Sequence, residues 1–258
     1  MKKNRGSSVY ARLLSVKEQK GAGYVVLIDP ESAPENRLID TAAECAGSGA
    51  DFIFVGGSLV SKGSLDTLIT GMKQEAGIPV VLFPGSLRQI SRTADALLFL
   101  SLISGRNPNY LIGEQVLAAP LVRKYGIEAV STGYILVESG TVTSVEFMSN
   151  TKPVPRAKSD IAAAHAMAAE YLGMKTVYLE AGSGALHPVP DAMVQAVCGV
   201  VSIPVIVGGG IRTPRTAADK VKNGASFIVT GTVVEDSGTS IIEEFAHAVH
   251  SAASGRQT

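Results

Sequence analysis

Three glycine-bearing strings stand out among the residues that can do chemistry: Gly182-Ser183-Gly184, Gly208-Gly209-Gly210 and Gly231-Thr232. Each comes just after a short run rich in branched or aromatic residues: Thr176–Glu180, Pro204–Val207 and Ser226–Thr230. A phosphate dianion needs several N–H donors converging on it, and glycine lets the backbone approach closely and turn sharply. One such string would mark a tight turn equally well. Three after successive strands point to a phosphate site formed by Gly182, Ser183, Gly184, Gly209, Gly210, Gly231 and Thr232. Arg212 follows the second string, either as an aid to the anion or as a surface residue opening a helix.

Tyr178 and Glu180 lie two apart in an extended run, so their side chains leave the same face. A carboxylate beside a phosphate site can bind a substrate hydroxyl and accept its proton, and the tyrosine can hydrogen-bond the same ligand. An ion pair with a loop Arg or Lys is the plainer alternative for Glu180. Asp29, at the end of Tyr24–Asp29, offers one oxygen ligand to Mg²⁺, which keeps several waters and takes few protein ligands. Ser58, in Gly56-Gly57-Ser58, can place a hydroxyl near the same ion; Asp29-Pro30 also suits a structural turn. His165, His187, His247 and His250 show no ligand spacing, and the last two fit a solvated helix face. Cys45 and Cys198 lack CxxC spacing and are expected to be buried free thiols in a reducing cytoplasm.

These residues need a frame. Eight short runs recur: Tyr24–Asp29, Asp51–Val55, Pro79–Phe83, Ala96–Leu100, Glu128–Val137, Thr176–Glu180, Pro204–Val207 and Ser226–Thr230. Most are continuously apolar, as parallel strands covered on both faces must be. Helices are predicted between or after them over Leu38–Ser48, Ser64–Ala76, Asn109–Tyr125, Lys158–Leu172, Pro190–Val200, Thr213–Asn223 and Ser240–Ala253. Gly49, Gly77, Gly126, Gly173 and Gly224 are placed to close helices, and Thr213-Pro214 to open one. Alternating strands and helices in 258 residues predict a (β/α)8 TIM barrel, one domain over residues 1–258, with its site at the C-terminal ends of the strands.

One unit departs from the pattern. Only Pro84–Asp95 separates the third and fourth strands, so the third helix is expected to be short or missing. The greasy segment Leu97–Ile103 beside it implies an apolar groove, open to a hydrocarbon tail or covered by another subunit or a loop. Glu146–Arg156 reads as a long polar loop at the active site.

Composition bounds the partners. Lys+Arg and Asp+Glu both number 23, so no global charge points to nucleic acid or anionic membrane. The basic start Met1–Arg5 is followed by no signal-peptide core, and Ala96–Ile103 is too short to span a bilayer. A cytoplasmic protein with at most peripheral membrane contact is expected.

The strings LIDPE (27–31), FVGGS (54–58), VLFPGS (81–86), LSLISGRNPNYLIGEQV (100–116), YLEAGSGA (178–185) and VGGGIR (207–212) closely resemble the geranylgeranylglyceryl phosphate synthase family. The likeness is greatest to the group with bacterial members, related to heptaprenylglyceryl phosphate synthases. It runs from about Tyr24 to Thr232. The resemblance implies a Mg²⁺-dependent prenyltransferase that joins sn-glycerol 1-phosphate to geranylgeranyl diphosphate and releases diphosphate, and a homo-oligomer. Carried over by motif, Asp29 and Ser58 would serve Mg²⁺. Tyr178, Leu179, Glu180, Ala181, Gly182, Ser183, Gly184, Gly209, Gly210, Gly231 and Thr232 would hold glycerol phosphate, with Glu180 as base and Tyr178 beside it. Tyr110, Leu111, Leu98 and Phe99 are candidates for the floor of the prenyl channel. Two departures from the family pattern stand out. Thr232 replaces a frequent Asn, which leaves a backbone N–H in place, and Ile28 stands where some relatives have Lys, which leaves the diphosphate charge more to Mg²⁺. A barrel isomerase or lyase acting on a phosphorylated sugar, and a non-enzymatic carrier of prenyl or phosphate ligands, are the other readings.

Overall fold

Neighbouring side chains on each strand go to different cores. On one face, Val25, Phe52, Phe54, Val81, Leu98, Val130, Tyr178, Ile206, Phe227 and Val229 form one buried cluster. On the other, Val26, Ile53, Val55, Leu97, Val177, Leu179, Val207 and Ile228 join a second cluster with residues from the helices. Two apolar faces on every strand require cover on both sides, which a sheet closed on itself inside a layer of helices supplies.

The computed structural model, which describes residues 8–57, 65–86 and 89–255, has that form. Strands β1 (Gly23–Ile28), β2 (Phe52–Val55), β3 (Val80–Leu82), β4 (Ala96–Ser101), β5 (Glu128–Leu136), β6 (Thr176–Glu180), β7 (Val205–Gly208) and β8 (Phe227–Thr230) close in chain order into a barrel. All pairs are parallel, and β1 meets β8 with Val25 opposite Val229. The helices are α1 (Val9–Lys20), α2 (Glu35–Gly47), α3 (Leu65–Ala76), α4 (Glu114–Tyr125), α5 (Ser144–Ser149), α6 (Ser159–Tyr171), α7 (Asp191–Cys198), α8 (Pro214–Lys222), α9 (Thr232–Ser237) and α10 (Ser240–Ser254).

The expected punctuation is present. Gly49, Gly77, Gly126, Gly173 and Gly224 all have φ between 66° and 109°, a conformation glycine enters without a Cβ clash. The Thr213 hydroxyl accepts from the Thr216 amide at 3.1 Å, with Pro214 in the first turn of α8. The helix expected over Asn109–Tyr125 is divided: its first turn, Asn109–Gly113, is a π-helix running into α4. Ser64, the expected start of α3, lies outside the described residues, as do Met1–Arg5.

Three helices were not expected. In α1, Val9, Leu13 and Val16 join the cluster inside the barrel and stopper its N-terminal end. The Glu128 carboxylate fixes that stopper by accepting from Ser8 Oγ (2.6 Å), Val9 N (2.7 Å) and Tyr10 N (3.2 Å) at the positive end of α1. Helix α9 follows β8 directly, and α5 takes up the start of the Glu146–Arg156 segment. That segment is thus not an open loop. Its first residues are helical, and Val154 pairs with Val137 as a strand bridge.

Between β3 and β4 no α-helix occurs among the described residues, as the short spacing predicts. The link is pinned to α3: Asp66 accepts from Ser91 Oγ (2.6 Å), Arg92 N (3.2 Å) and Arg92 Nε (3.0 Å). At the stoppered end, His250 does not sit on a solvated face. Its Nε2 is 2.9 Å from Asp51 Oδ2, and Asp51 also accepts from Lys20 Nζ at 2.6 Å and Tyr24 N at 2.9 Å. Both cysteines are free; Cys45 is buried, but Cys198, at the end of α7, is only half-buried.

Candidate active site

With α1 filling one end, the open end of the barrel holds a cavity of about 680 Å³. Its centre is the end of β6. Tyr178 and Glu180 point inward, and Glu180 is 5% exposed. Glu180 Oε1 accepts from the Gly182 amide at 2.6 Å. Burial pushes its carboxyl up to about 7, against the Gly182 amide, the Tyr178 hydroxyl and the Ala181 amide, which hold it down. Tyr178 stacks on Phe83 (centroids 5.1 Å apart) and on Tyr134 (5.6 Å). Burial, with the charge of Glu180 second, holds both phenols well above their usual range. The Tyr178 hydroxyl faces Glu180 without a hydrogen bond of good geometry to any described residue.

Beside this carboxylate the glycine strings meet. Gly182, Ser183, Gly184, Gly209, Gly210, Gly231 and Thr232 all line the cavity. The amides of Ser183, Gly184, Gly209 and Gly210 donate to no other group among the described residues, so they are open to a ligand. The Gly182 amide is already taken by Glu180. Gly209 has φ +80°, and a Cβ there would lie 2.2 Å from Glu180 Oε1, so only glycine fits. Strand β8 leads into the short helix α9, with Gly231 as its cap; loops after strands seven and eight with a short extra helix are a frequent phosphate site in this architecture.

Leu179 and Ala181 are not brought to the cavity. Strand alternation turns both into the core behind β6, where they are fully buried, and the Ala181 amide donates to the Gly208 carbonyl. Arg212 borders the cavity, but its guanidinium is spent on the β6 loop, donating to the carbonyls of Ala185 (2.7 Å) and Leu186 (3.0 Å).

Across the cavity stands Asp29, half-buried. Its Oδ1 accepts from the Glu31 amide at 2.9 Å, while no described residue donates to Oδ2. Burial raises its carboxyl; the Glu31 amide opposes the rise, and the Glu31 charge adds a smaller upward push. Glu235 of α9 is nearby, raised by burial and then by the charge of Asp29. Ser58, the other predicted metal residue, lies outside the described residues. No group of three or more His, Cys, Asp or Glu among the described residues is arranged to hold a metal. A cation here would draw a hard oxygen from Asp29 and complete its shell with water and substrate oxygens, a mode that a small divalent cation accepts.

One wall is apolar. Leu97, Leu98, Phe99, Leu100, Leu102 and Ala118 border the same cavity. Leu98 belongs to the core inside the barrel, whereas Leu97 and Phe99 face the outer one. A cavity touching both sets leaves the barrel and runs over its flank, where a third helix would stand. Of the expected floor residues, Tyr110, Leu98 and Phe99 line it and Leu111 does not.

Sequence reasoning missed Ser144, Val145 and Met148 of α5, Glu235 and Asp236 of α9, and Gln115 of α4, all in the wall. Both short helices carry a legible sign in hindsight: Glu146 and Glu235 are acids in a first turn.

The chain has clear relatives. The PcrB family matches residues 14–249. A geranylgeranylglyceryl phosphate synthase of Chitinophaga pinensis is 49% identical over 247 residues, covering 96% of this chain and 98% of the relative. One from Thermofilum pendens is 46% identical over 220 residues, covering 85% of each. Among solved structures, (S)-3-O-geranylgeranylglyceryl phosphate synthase from Thermoplasma acidophilum, in complex with its substrate sn-glycerol-1-phosphate, matches with a TM-score of 0.89 at 35% identity, over 96% of this chain and 99% of that one.

Proposed function

Because the chain belongs to the PcrB family, we propose that it transfers a geranylgeranyl group from its diphosphate to sn-glycerol 1-phosphate, forming an ether-linked glyceryl phosphate and releasing diphosphate. One observation carries this reading: a single cavity joins glycine loops with open amides, a buried carboxylate and an apolar arm that leaves the barrel.

The open amides of Ser183, Gly184, Gly209 and Gly210, with Gly231 and Thr232, hold the phosphate of glycerol 1-phosphate. That anchor brings the terminal hydroxyl to Glu180. The hydroxyl oxygen bonds to C1 of the prenyl chain as the bond from C1 to the diphosphate oxygen breaks. The hydroxyl proton goes to Glu180, whose carboxyl near 7 is suited to taking it. Tyr178 orients the same hydroxyl. The apolar arm takes the tail, each buried CH₂ contributing roughly 0.8 kcal/mol. Holding both reactants in line contributes up to roughly 7–11 kcal/mol of the barrier reduction.

Mg²⁺ fits the far side: Asp29 and, by motif, Ser58 would hold it, and it would supply charge stabilisation to the departing diphosphate. Two free cysteines suit a reducing cytoplasm. No helix among the described residues is long and apolar enough to cross a membrane. Self-association accords with Ile112, Val116 and Leu117, all more than half exposed around the start of α4.

The test is direct. Pure protein is incubated with each enantiomer of glycerol phosphate, prenyl diphosphates of graded length and Mg²⁺, and the lipid product is identified by mass. Geranylgeranylglyceryl phosphate from the sn-1 enantiomer is expected. Turnover of a sugar phosphate without a prenyl donor, or tight binding of both substrates with no product, would replace this reading.

A further inference from the structure

The short link between β3 and β4 does more than open the flank of the barrel. It carries Gln89, a polar side chain only 2% exposed. Gln89 Nε2 donates to the Gly57 carbonyl at 2.7 Å, and its Oε1 accepts from the Gly85 amide at 3.1 Å. The orientation of the amide is fixed, because one partner can only accept and the other only donate. One buried side chain thus ties the loop after β2 to the loop after β3, and Gly57 and Gly85 both line the cavity.

Gly57 lies directly under the predicted metal carboxylate. A Cβ on Gly57 would fall 2.3 Å from Asp29 Oδ2 and 2.6 Å from Oδ1. On its other side, Gly56 is pressed against β3, where a Cβ would lie 1.9 Å from the Phe83 carbonyl oxygen. The Asp29 carboxylate therefore rests on a peptide segment that the Gln89 clamp holds. The Gly85 amide is consumed by the clamp, so it is not a donor to a ligand.

We propose that Gln89 is a positioning residue for the diphosphate end of the site: by holding Gly57 against Gly85 it sets where the Asp29 carboxylate meets the cation and the diphosphate. This rests on the assignment of Asp29 under the proposed function. Gln89 touches no reacting atom; it acts through Gly57. It is more than 30 residues from Gly57 in sequence yet binds its backbone.

The test uses the full chain and inorganic diphosphate with Mg²⁺, titrated calorimetrically, with glycerol 1-phosphate titrated separately. Gln89→Met keeps the volume and removes both bonds. It is expected to weaken magnesium diphosphate binding about tenfold and leave glycerol 1-phosphate binding within about twofold. In turnover, KM for the prenyl diphosphate and the Mg²⁺ concentration for half-activity rise together. Gln89→Glu keeps the acceptor for Gly85 but sets a carboxylate oxygen against the Gly57 carbonyl. Its diphosphate binding, relative to the parent at each pH, is expected to recover in mild acid, where the introduced carboxyl regains a proton to donate. A role in general stability alone would weaken both ligands alike and show no such recovery. Equal losses for both ligands, unchanged diphosphate binding in Gln89→Met, or no acid recovery in Gln89→Glu would overturn the proposal; if Gln89→Met does not fold, Gln89→Glu decides. A parent protein that binds no magnesium diphosphate would strike the Asp29 assignment itself. A parent that binds it while the variants bind equally removes Gln89 alone.

Discussion

Tyr178 and Glu180 converge on one glycine: a Cβ on Gly208 would lie 2.4 Å from the Tyr178 hydroxyl and 3.1 Å from Glu180 Oε2. The phenol and the carboxylate thus share one small volume at the end of β6, walled by β7. The Tyr178 hydroxyl is buried and without a hydrogen-bond partner among the described residues. A substrate hydroxyl entering there meets a proton acceptor and an oriented phenol together.

The first prediction concerns the pH dependence of turnover. The form of Glu180 that accepts a proton is the carboxylate, and its carboxyl sits at about 7. kcat/KM is expected to rise with pH through about 7 and then level. Glu180→Gln should lose about 10²–10⁴ in rate and the acid limb with it. A steady-state pH profile of both proteins checks this; an unchanged limb in the variant would remove Glu180 as the base.

The same shift has a consequence for stability. The folded value lies above the ordinary carboxyl value of 4.5, so the native state favours the protonated form. That stabilisation is complete below the ordinary value and is lost as pH rises through about 7. Glu180→Gln never ionises. It should therefore be more stable than the parent in mild alkali, by on the order of 2–3 kcal/mol, with the margin closing in acid. Denaturant unfolding at several pH values measures the margin.

At the stoppered end the sign reverses. Asp51 is buried, yet its carboxyl is lowered. Burial alone would raise it, and the bonds from His250, Lys20 and Tyr24 overcome that. Its stabilisation is present above the ordinary carboxylate value and is lost as pH falls through the lower folded one. Asp51→Asn removes the charge and one of the two acceptor oxygens that His250, Lys20 and Tyr24 share, and should cost about 2–4 kcal/mol near neutral pH. This cluster ties α1 and α10 to the rim opposite the cavity, so kcat at a temperature where the variant is folded should stay within about twofold of the parent. Thermal unfolding paired with kinetics separates the two effects.

How far the sequence reached follows from the range of the interactions. Strands and helix ends were legible because their signals are local. The apolar run Phe52–Val55 can hardly be other than a covered strand, and Gly126 or Thr213 marks a helix end within a residue or two. The glycine-lined rim of the cavity was legible because glycine at Gly209 or Gly210 answers a backbone need at that position. What escaped is set by contacts distant along the chain. Gln89 reaches Gly57, Glu128 fixes α1, and His250 finds Asp51, and no pattern near any of them announces its partner. Helices α5 and α9 are six residues each, too short for an apolar period to show. The outward turn of Leu179 and Ala181 follows from strand alternation, which Tyr178 and Glu180 already defined.

The last prediction tests the apolar arm. Ala118 of α4 is buried and lines the cavity beyond the barrel rim, on the flank bounded by Leu97 and Phe99. Its small side chain leaves the room that a long tail needs. Ala118→Phe should fill that room and shorten the longest tail accepted without touching the glycine-lined rim. Losing the burial of one five-carbon prenyl unit forfeits up to about 4 kcal/mol at roughly 0.8 kcal/mol per CH₂. Selectivity should therefore swing from geranylgeranyl toward farnesyl diphosphate by a factor of about 10² or more, with KM for glycerol 1-phosphate unchanged. Competition between the two prenyl diphosphates, read as the product ratio by mass, measures the swing. An unaltered ratio would mean that the tail does not run along β4 and α4, and the arm over the barrel flank would need another occupant.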